Sequence, residues 1–163
     1  MQIDPHRIGV IGFSAGGHIV AAISNAEGRS YTSVDAADRM SSRPDFAIAL
    51  YPGHLWAEDM TADKVALAPW NRVSPHAPPT FLLQSAQDAV DDVRNSMFYA
   101  LALGDAGVPV ELHLYPGKAH AFGLSPSENP ISTVWPGLVA SWLRSIGMLE
   151  KPTTQGHPTQ RER

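Results

Sequence analysis

The segment from Arg7 to Gly17 constrains the fold more than any other part of this sequence. It begins with RIGVIGF, an almost uniformly apolar and β-branched-rich run, and continues through Ser14 directly into helix-forming residues. A strand of this composition is typical of a sheet that is buried on both faces. The segment therefore predicts a strand, a tight turn and a helix, which is the building unit of a parallel α/β fold.

The rest of the chain alternates strands and helices in the same way. The predicted strands are Arg7 to Phe13, Asp45 to Leu50, Thr80 to Gln84 and Val110 to Tyr115. The predicted helices run from about Gly17 to Asn25, from Val93 to about Gly104 and from Pro136 to Ile146. Loops are predicted at Glu27 to Arg43 and at Pro116 to Ser132. Each strand-to-strand connection is long enough for a right-handed crossover, so we expect a four-stranded parallel sheet flanked by helices. Alternating polarity over Val110 to Tyr115 predicts an edge strand. We expect one domain over 1–149 and a disordered polar tail over 150–163.

Composition excludes several classes of function. A formal net charge of −4 over 163 residues gives no electrostatic footprint for nucleic acid or an anionic membrane. The chain has no cysteine, which excludes disulfides and a cysteine nucleophile. No H-x-x-x-H or H-E-x-x-H spacing occurs, so neither a metal site nor a cofactor is predicted. No basic and then apolar stretch follows Met1, which favours a cytoplasmic over a secreted location although the compartment stays open.

The turn from Gly12 to Gly16 fits the pattern G-x-S-x-G between a buried strand and a helix. Such a turn projects a serine hydroxyl above the sheet, and the helix that follows points its dipole and free N–H groups at the same place. The two glycines keep side chains away from closely packed backbone. Ser14 is therefore the candidate nucleophile, and the alternative is a turn that only packs or binds an anion.

Two later loops supply an acid and a histidine. Asp88 follows the third strand, and His120 follows the fourth. Because the carboxyl ends of parallel strands meet at one edge of a sheet, we expect both residues to converge with Ser14. The chain order of serine, aspartate and histidine is the one expected of a hydrolytic triad built around such a turn.

Other residues compete for these roles. Asp91 is the alternative acid, although the favoured role of Asp91 and Asp92 is to cap the helix that starts near Val93. His18 follows the turn closely and is expected to be a helix residue near the site. His113 lies within a strand and is expected on its exposed face.

Three segments, DPHRIGVIGFSAGGH, TFLLQSAQDAVDDVRNS and GVPVELHLYPGKAHAFGL, resemble the α/β-hydrolase superfamily. Within it they are most similar to the esterase/lipase branch that includes acetyl-xylan and feruloyl esterases. The resemblance covers about residues 4 to 146 and carries the triad over as Ser14, Asp88 and His120. It implies that the N–H of Ala15 belongs to the oxyanion hole, and that the substrates are small acyl esters such as acetylated sugars.

The resemblance is restricted to the C-terminal half of the family's fold. It implies a truncated α/β-hydrolase fold whose four strands correspond to strands five to eight. The family's H-G-G-type loop, which supplies a second oxyanion donor, has no counterpart, and loss of one donor typically costs roughly 10²–10³ in turnover. We expect a serine carboxylic-ester hydrolase. The alternatives are an incomplete or vestigial hydrolase and a module that binds a partner through an open sheet edge.

The predicted strand order leaves the Arg7 to Phe13 strand at an edge. A long apolar edge strand is a template for pairing with another chain. We therefore expect a homodimer, or another partner, to cover this edge. A monomer at micromolar concentration in light scattering would contradict that expectation.

The predicted loop from Tyr51 to Pro79 is too long for a simple connection and suggests a functional or lid-like segment. Its residues Tyr51, Trp56 and Trp70, together with Phe122, are candidates for lining an acyl or sugar pocket. Packing in the core is at least as well supported for each of them.

Overall fold

The structure, a computed structural model, describes residues 3–29, 31–57, 67, 71–125 and 130–150. Its elements are β1 (Gly9–Phe13), α1 (Ala15–Ser24), a short 3₁₀ helix (Ala37–Arg39), β2 (Phe46–Leu50), β3 (Thr80–Ser85), α2 (Arg94–Asp105), β4 (Val110–Tyr115) and α3 (Ile131–Ser145). All neighbouring strands are parallel, in the order β1-β2-β3-β4. The predicted four-stranded parallel sheet is confirmed, whereas the predicted tail beyond Glu150, part of the long loop and Trp70 lie outside the described residues.

The two central strands separate two apolar cores. On one face, Ala47 and Ala49 of β2 pack in a cluster with Val20 of α1 and Tyr99 of α2. The small alanine side chains leave room for α1 to lie close to the sheet. On the other face, the alternate residues of β2 and β3 pack against α3, in a cluster that contains Ile48, Leu50, Phe81, Leu83, Trp135, Val139 and Trp142. The period of two along each strand thus holds helices on both faces, as a parallel sheet requires.

Helix α3 begins earlier than the sequence predicts. The sequence predicts that Pro136 opens the helix, but the helix starts at Ile131 and Pro136 lies inside it. The predicted loop therefore ends before Ser132. A proline inside a helix removes one backbone hydrogen bond, and the buried side chains of Ile131 and Trp135 provide the packing that holds this first part of the helix against the sheet.

Strand β1 is an edge strand, and its burial differs from what its composition suggests. An apolar run of this kind predicts burial on both faces, yet the Ile11 side chain is 47% exposed and Phe13 is partly exposed. The reason is the strand order, because no described residue pairs with the outer side of β1. The expected partner for this edge stays a prediction.

Strand β4 forms the opposite edge, and its exposed face is not the predicted one. Leu114 is 42% exposed, whereas the His113 ring packs against Phe81 with 5.1 Å between ring centroids. The Nε2 atom of His113 also lies 2.8 Å from a carboxylate oxygen of Glu111. The prediction of an exposed histidine is wrong, because His113 pairs in register with the buried Leu83, on the sheet face that α3 covers.

Candidate active site

Ser14 occupies a strained turn between β1 and α1. Its backbone has φ 53° and ψ −121°, a conformation that residues other than glycine rarely adopt. The N–H of Ser14 donates to the carbonyl of Leu50 at 3.0 Å, and its carbonyl accepts the N–H of Gly17 at 2.8 Å. These bonds fix the turn to β2 on one side and to the first turn of α1 on the other. Ala15, the predicted oxyanion donor, opens α1, where N–H groups have no acceptor within the helix.

The structure brings the three predicted site residues together. The Oγ of Ser14 lies 2.9 Å from Nε2 of His120, and Nδ1 of His120 lies 2.9 Å from Oδ2 of Asp88. The side chain of His120 is 11% exposed and that of Asp88 is fully buried. Three loops at the carboxyl edge of the sheet thus place a hydroxyl, an imidazole and a carboxylate in series, an arrangement suited to removing a proton from the hydroxyl.

Backbone groups hold the buried carboxylate of Asp88. Its Oδ1 accepts the N–H of Val90 at 2.9 Å and the N–H of Asp91 at 3.1 Å. The same loop is tied to the loop after β4, since the N–H of Gln87 donates to the carbonyl of Gly117 at 3.0 Å. A buried carboxylate is costly unless it is hydrogen-bonded, and these donors together with His120 meet that requirement.

Aromatic side chains pack next to the imidazole of His120. The Tyr51 ring lies 4.8 Å from the His120 ring and 4.5 Å from the Phe122 ring, measured between centroids. Burial raises the pKa of the Tyr51 hydroxyl, and the charge of Asp88 raises it further, although a hydrogen bond from the Gly123 N–H opposes both effects. Tyr51 and Phe122 are buried, so Tyr51 packs between the imidazole and Phe122.

Asp91 does not cap the helix as predicted. Oδ1 of Asp92 accepts the N–H of Arg94, the first residue of α2, at 2.8 Å, and the N-cap residue of the helix, Val93, makes no side-chain cap bond. The Oδ2 of Asp91 lies instead 3.4 Å from the Oγ of Ser14 and 3.7 Å from Nε2 of His120. As an alternative acid Asp91 is on the wrong side of the ring, since Asp88 occupies the Nδ1 side. The sequence holds no signal for this placement beyond the proximity of Asp91 to Asp88.

Backbone strain is concentrated around the same loops. Four non-glycine residues in the described part of the chain have positive φ, namely Ser14, Tyr51, His54 and Ala121. Tyr51 directly follows β2, and Ala121 directly follows His120. Strained conformations of this kind persist only where the surrounding structure fixes them, and they cluster at functional sites. The motif at Ser14 pointed to one of them, and nothing in the sequence indicated the others.

The two glycines of the turn differ in what they require. A Cβ at Gly12 would lie 2.2 Å from the carbonyl oxygen of Gly16 and 2.7 Å from a methyl group of Val20, whereas a Cβ at Gly16 meets nothing within 4 Å. The expectation that both glycines clear closely packed backbone is therefore correct for Gly12 and wrong for Gly16.

These glycines give a matched pair of variants. We expect Gly12→Ala to lower the free energy of unfolding by about 3 kcal/mol, because backbone atoms must move to admit the methyl group. Gly16→Ala should leave it unchanged or raise it by up to about 1 kcal/mol, because alanine is the better helix former. Urea denaturation of both variants measures the difference, and equal midpoints would contradict the crowding at Gly12.

The described residues contain no cluster of three or more potential metal ligands. Among the helices that the structure describes, none is long and apolar enough to span a membrane.

Known proteins are similar to this chain in sequence or in structure. The acetylxylan esterase of Xylanibacter ruminicola is 28% identical over 164 residues, which cover 89% of this chain and 32% of that protein. The crystal structure of an acetyl ester-xyloside bifunctional hydrolase from Caldicellulosiruptor lactoaceticus matches with a TM-score of 0.75 and 35% identity, covering 91% of this chain and 60% of the other. An alpha/beta hydrolase enzyme, MGS-M1, from a Medee basin deep-sea metagenome library matches with a TM-score of 0.66 and 24% identity, covering 88% and 56%.

The chain therefore has part of an α/β-hydrolase fold, and it spans less than two thirds of the length of each of these relatives. The sequence profile of the prolyl oligopeptidase family matches residues 1–134. With this match over most of its length, the chain belongs to the prolyl oligopeptidase family.

Proposed function

We propose that this chain is a serine carboxylic-ester hydrolase that acts through an acyl-enzyme on Ser14. The observation that carries the proposal is the series of hydrogen-bond distances, with 2.9 Å from Ser14 to His120 and 2.9 Å from His120 to Asp88. A serine is a weak nucleophile unless an adjacent base removes its proton. Here the imidazole lies at the required distance, and a buried carboxylate holds it in place.

The reaction follows from these positions. Nε2 of His120 removes the hydroxyl proton while Oγ of Ser14 forms a bond to the ester carbonyl carbon. The tetrahedral intermediate then breaks its bond to the alcohol oxygen, which takes the proton from Nε2. Water repeats the sequence on the acyl-enzyme and releases the carboxylic acid. Throughout, Asp88 keeps the Nδ1 proton of His120 in place and stabilises the imidazolium.

The oxyanion of the tetrahedral intermediate needs hydrogen-bond donors. The N–H of Ala15 follows the nucleophile at the start of α1 and is the donor that we assign to the oxyanion. A site with one such donor is expected to turn over roughly 10²–10³ more slowly than a site with two. The chain is thus expected to be a slow esterase unless a second donor is supplied to it.

For the acyl group we propose acetyl or a similarly small acyl chain. This proposal is supported by the relatives, which include an acetylxylan esterase and an acetyl ester-xyloside hydrolase. Cleavage of peptide bonds is a second candidate, because the family whose profile matches is that of prolyl oligopeptidase.

One experiment separates these functions. Purified protein is incubated with p-nitrophenyl acetate and, separately, with the dipeptide substrate Gly-Pro-p-nitroanilide. We expect release of p-nitrophenol and no release of p-nitroaniline, because an amide requires a protonated leaving amine and hence a more complete site. Release of p-nitroaniline at a comparable rate would favour the peptidase instead.

Covalent labelling provides an independent measurement. A fluorophosphonate should label Ser14, as identified by peptide mass spectrometry, because only an activated serine reacts with this reagent. A folded protein that neither turns over the ester nor reacts with the fluorophosphonate would support the vestigial alternative.

A further inference from the structure

Hydrogen bonds to the backbone of Asp91 help to place its carboxylate beside the reacting atoms. The N–H of Asp91 donates to Asp88 at 3.1 Å, and its carbonyl accepts a hydrogen bond from the Gln84 side chain at 2.7 Å. Gly53 makes room for the carboxylate, since a Cβ at that position would lie 2.4 Å from Oδ1 of Asp91. The placement is therefore a property of the fold.

Among the described residues, no lysine or arginine forms an ion pair with Asp91. Oδ2 of Asp91 lies 3.7 Å from Nε2 of the His120 imidazole. The arginine closest in sequence, Arg94, is bound to Asp92 at 2.7 Å and lies over the Trp56 ring. The Asp91 side chain is 17% exposed. Its negative charge is thus accessible to a bound molecule, and no lysine or arginine in the described part of the chain compensates it.

The Asp91 carboxylate lies on the side of the site where the alcohol leaving group of the ester is expected to be. The departing alcohol oxygen receives its proton from Nε2 of His120, so it must come within hydrogen-bond distance of that atom. Asp91 Oδ2 lies 3.7 Å from Nε2 and 3.4 Å from the Oγ of Ser14. Substituents of the alcohol, a few bonds from the ester oxygen, therefore come close to the carboxylate, whereas the acyl chain is attached on the other side of the carbonyl carbon.

From these contacts we infer that Asp91 is a specificity-determining residue, which selects esters whose alcohol part carries a positive charge close to the ester oxygen. This inference rests on the proposed ester hydrolysis. A carboxylate near a cation lowers the energy of the complex by Coulomb attraction, and the partial exposure of Asp91 reduces that effect by screening. We expect a preference of about 10-fold, larger than the few-fold effect of a fully exposed pair, because the Asp91 side chain is mostly buried.

The test uses two acetyl esters that differ only in charge. Acetylcholine carries a quaternary ammonium two carbons from its ester oxygen, and 3,3-dimethylbutyl acetate is its uncharged isostere. Acetate release is measured for both, and kcat/KM for acetylcholine is divided by kcat/KM for the isostere. This ratio does not depend on the fraction of correctly folded protein, so a loss of stability in a variant leaves it unchanged.

Two variants with the same chemical change are compared. Asp91→Asn keeps the size of the side chain and removes its charge, and we expect the ratio to fall from about 10 to about 1. Asp105→Asn makes the same change at an exposed carboxylate at the far end of α2, so its ratio should stay at the wild-type value. Raising the salt concentration should lower the wild-type ratio and leave that of Asp91→Asn unchanged.

The outcomes distinguish this inference from the function on which it rests. Equal kcat/KM for the two esters in the wild-type protein, or a preference that survives Asp91→Asn, would overturn the role of Asp91 and leave ester hydrolysis intact. Hydrolysis of p-nitrophenyl acetate without hydrolysis of either alkyl ester would also overturn it. If p-nitrophenyl acetate is not hydrolysed either, the proposed function fails and the inference fails with it.

Discussion

Replacing Ser14 with alanine should reduce the hydrolysis of p-nitrophenyl acetate to the uncatalysed background. Alanine offers no atom for the acyl group, so His120 and Asp88 have no hydroxyl to activate. In serine hydrolases the triad residues act as a unit, and loss of the nucleophile lowers kcat by roughly 10⁴-fold or more. The initial rate of p-nitrophenol release, at equal concentrations of wild type and variant, measures the effect.

The fold should survive this substitution. Ser14 has a positive φ that alanine tolerates about as poorly as serine does, and the hydroxyl is only half-buried. Urea denaturation of Ser14→Ala should therefore give a midpoint close to that of the wild type. Ser33→Ala, which changes an exposed serine outside the loops that carry the triad, serves as the matched control and should retain full activity.

Either outcome of this comparison is informative. A serine-dependent rate means that the chain builds a working site, and that the N–H of Ala15 alone, or with a further donor, stabilises the oxyanion. Equal background rates from two folded proteins would mean that the three side chains are in place without the rest of the catalytic machinery. The alternative of an incomplete or vestigial hydrolase would then replace the proposed function.

The positions of the three site residues could be predicted because they depend on topology. Ser14, Asp88 and His120 each follow a strand, and strands that run parallel must end at one edge. The strand boundaries could also be predicted, because buried runs such as FAIAL and TFLLQ are bounded by turn residues. The edge position of β1 followed from placing the four strands side by side in their predicted order. These features depend on patterns that extend over many residues.

The features that the sequence does not predict depend on the surroundings of single residues. Whether Asp91 caps a helix or faces Ser14 depends on a few backbone angles between Asp88 and Asp92, which no sequence pattern reports. The early start of α3 depends on tertiary burial of Ile131 and Trp135, which outweighs the usual preference of proline for the first turn. Likewise, glycines at 12 and 16 look equivalent in the motif, but only one of them faces backbone.

Replacing Asp88 with asparagine should lower kcat for ester hydrolysis by about 10⁴-fold, because it selects the wrong tautomer of His120. The N–H groups of Val90 and Asp91 both point at Oδ1, so the amide of asparagine must place its oxygen there. The amide nitrogen then occupies the Oδ2 position, which lies 2.9 Å from Nδ1 of His120. An N–H group donated to Nδ1 moves the imidazole proton to Nε2, and Nε2 can then no longer accept the proton of Ser14.

The Asp88→Asn and Asp91→Asn variants together distinguish Asp88 from Asp91 as the acid of the triad. Asparagine fits the Asp88 site without a change of size, so a lower kcat with an unchanged urea midpoint reports on the tautomer and not on unfolding. The effect should appear mainly in kcat, because Asp88 is fully buried and has no surface to offer a substrate. If Asp88→Asn kept the wild-type kcat while Asp91→Asn lost about 10⁴-fold, the assignment would be reversed. The position of Asp91 on the Nε2 side of the ring argues against that result, because a carboxylate there cannot hold the Nδ1 proton.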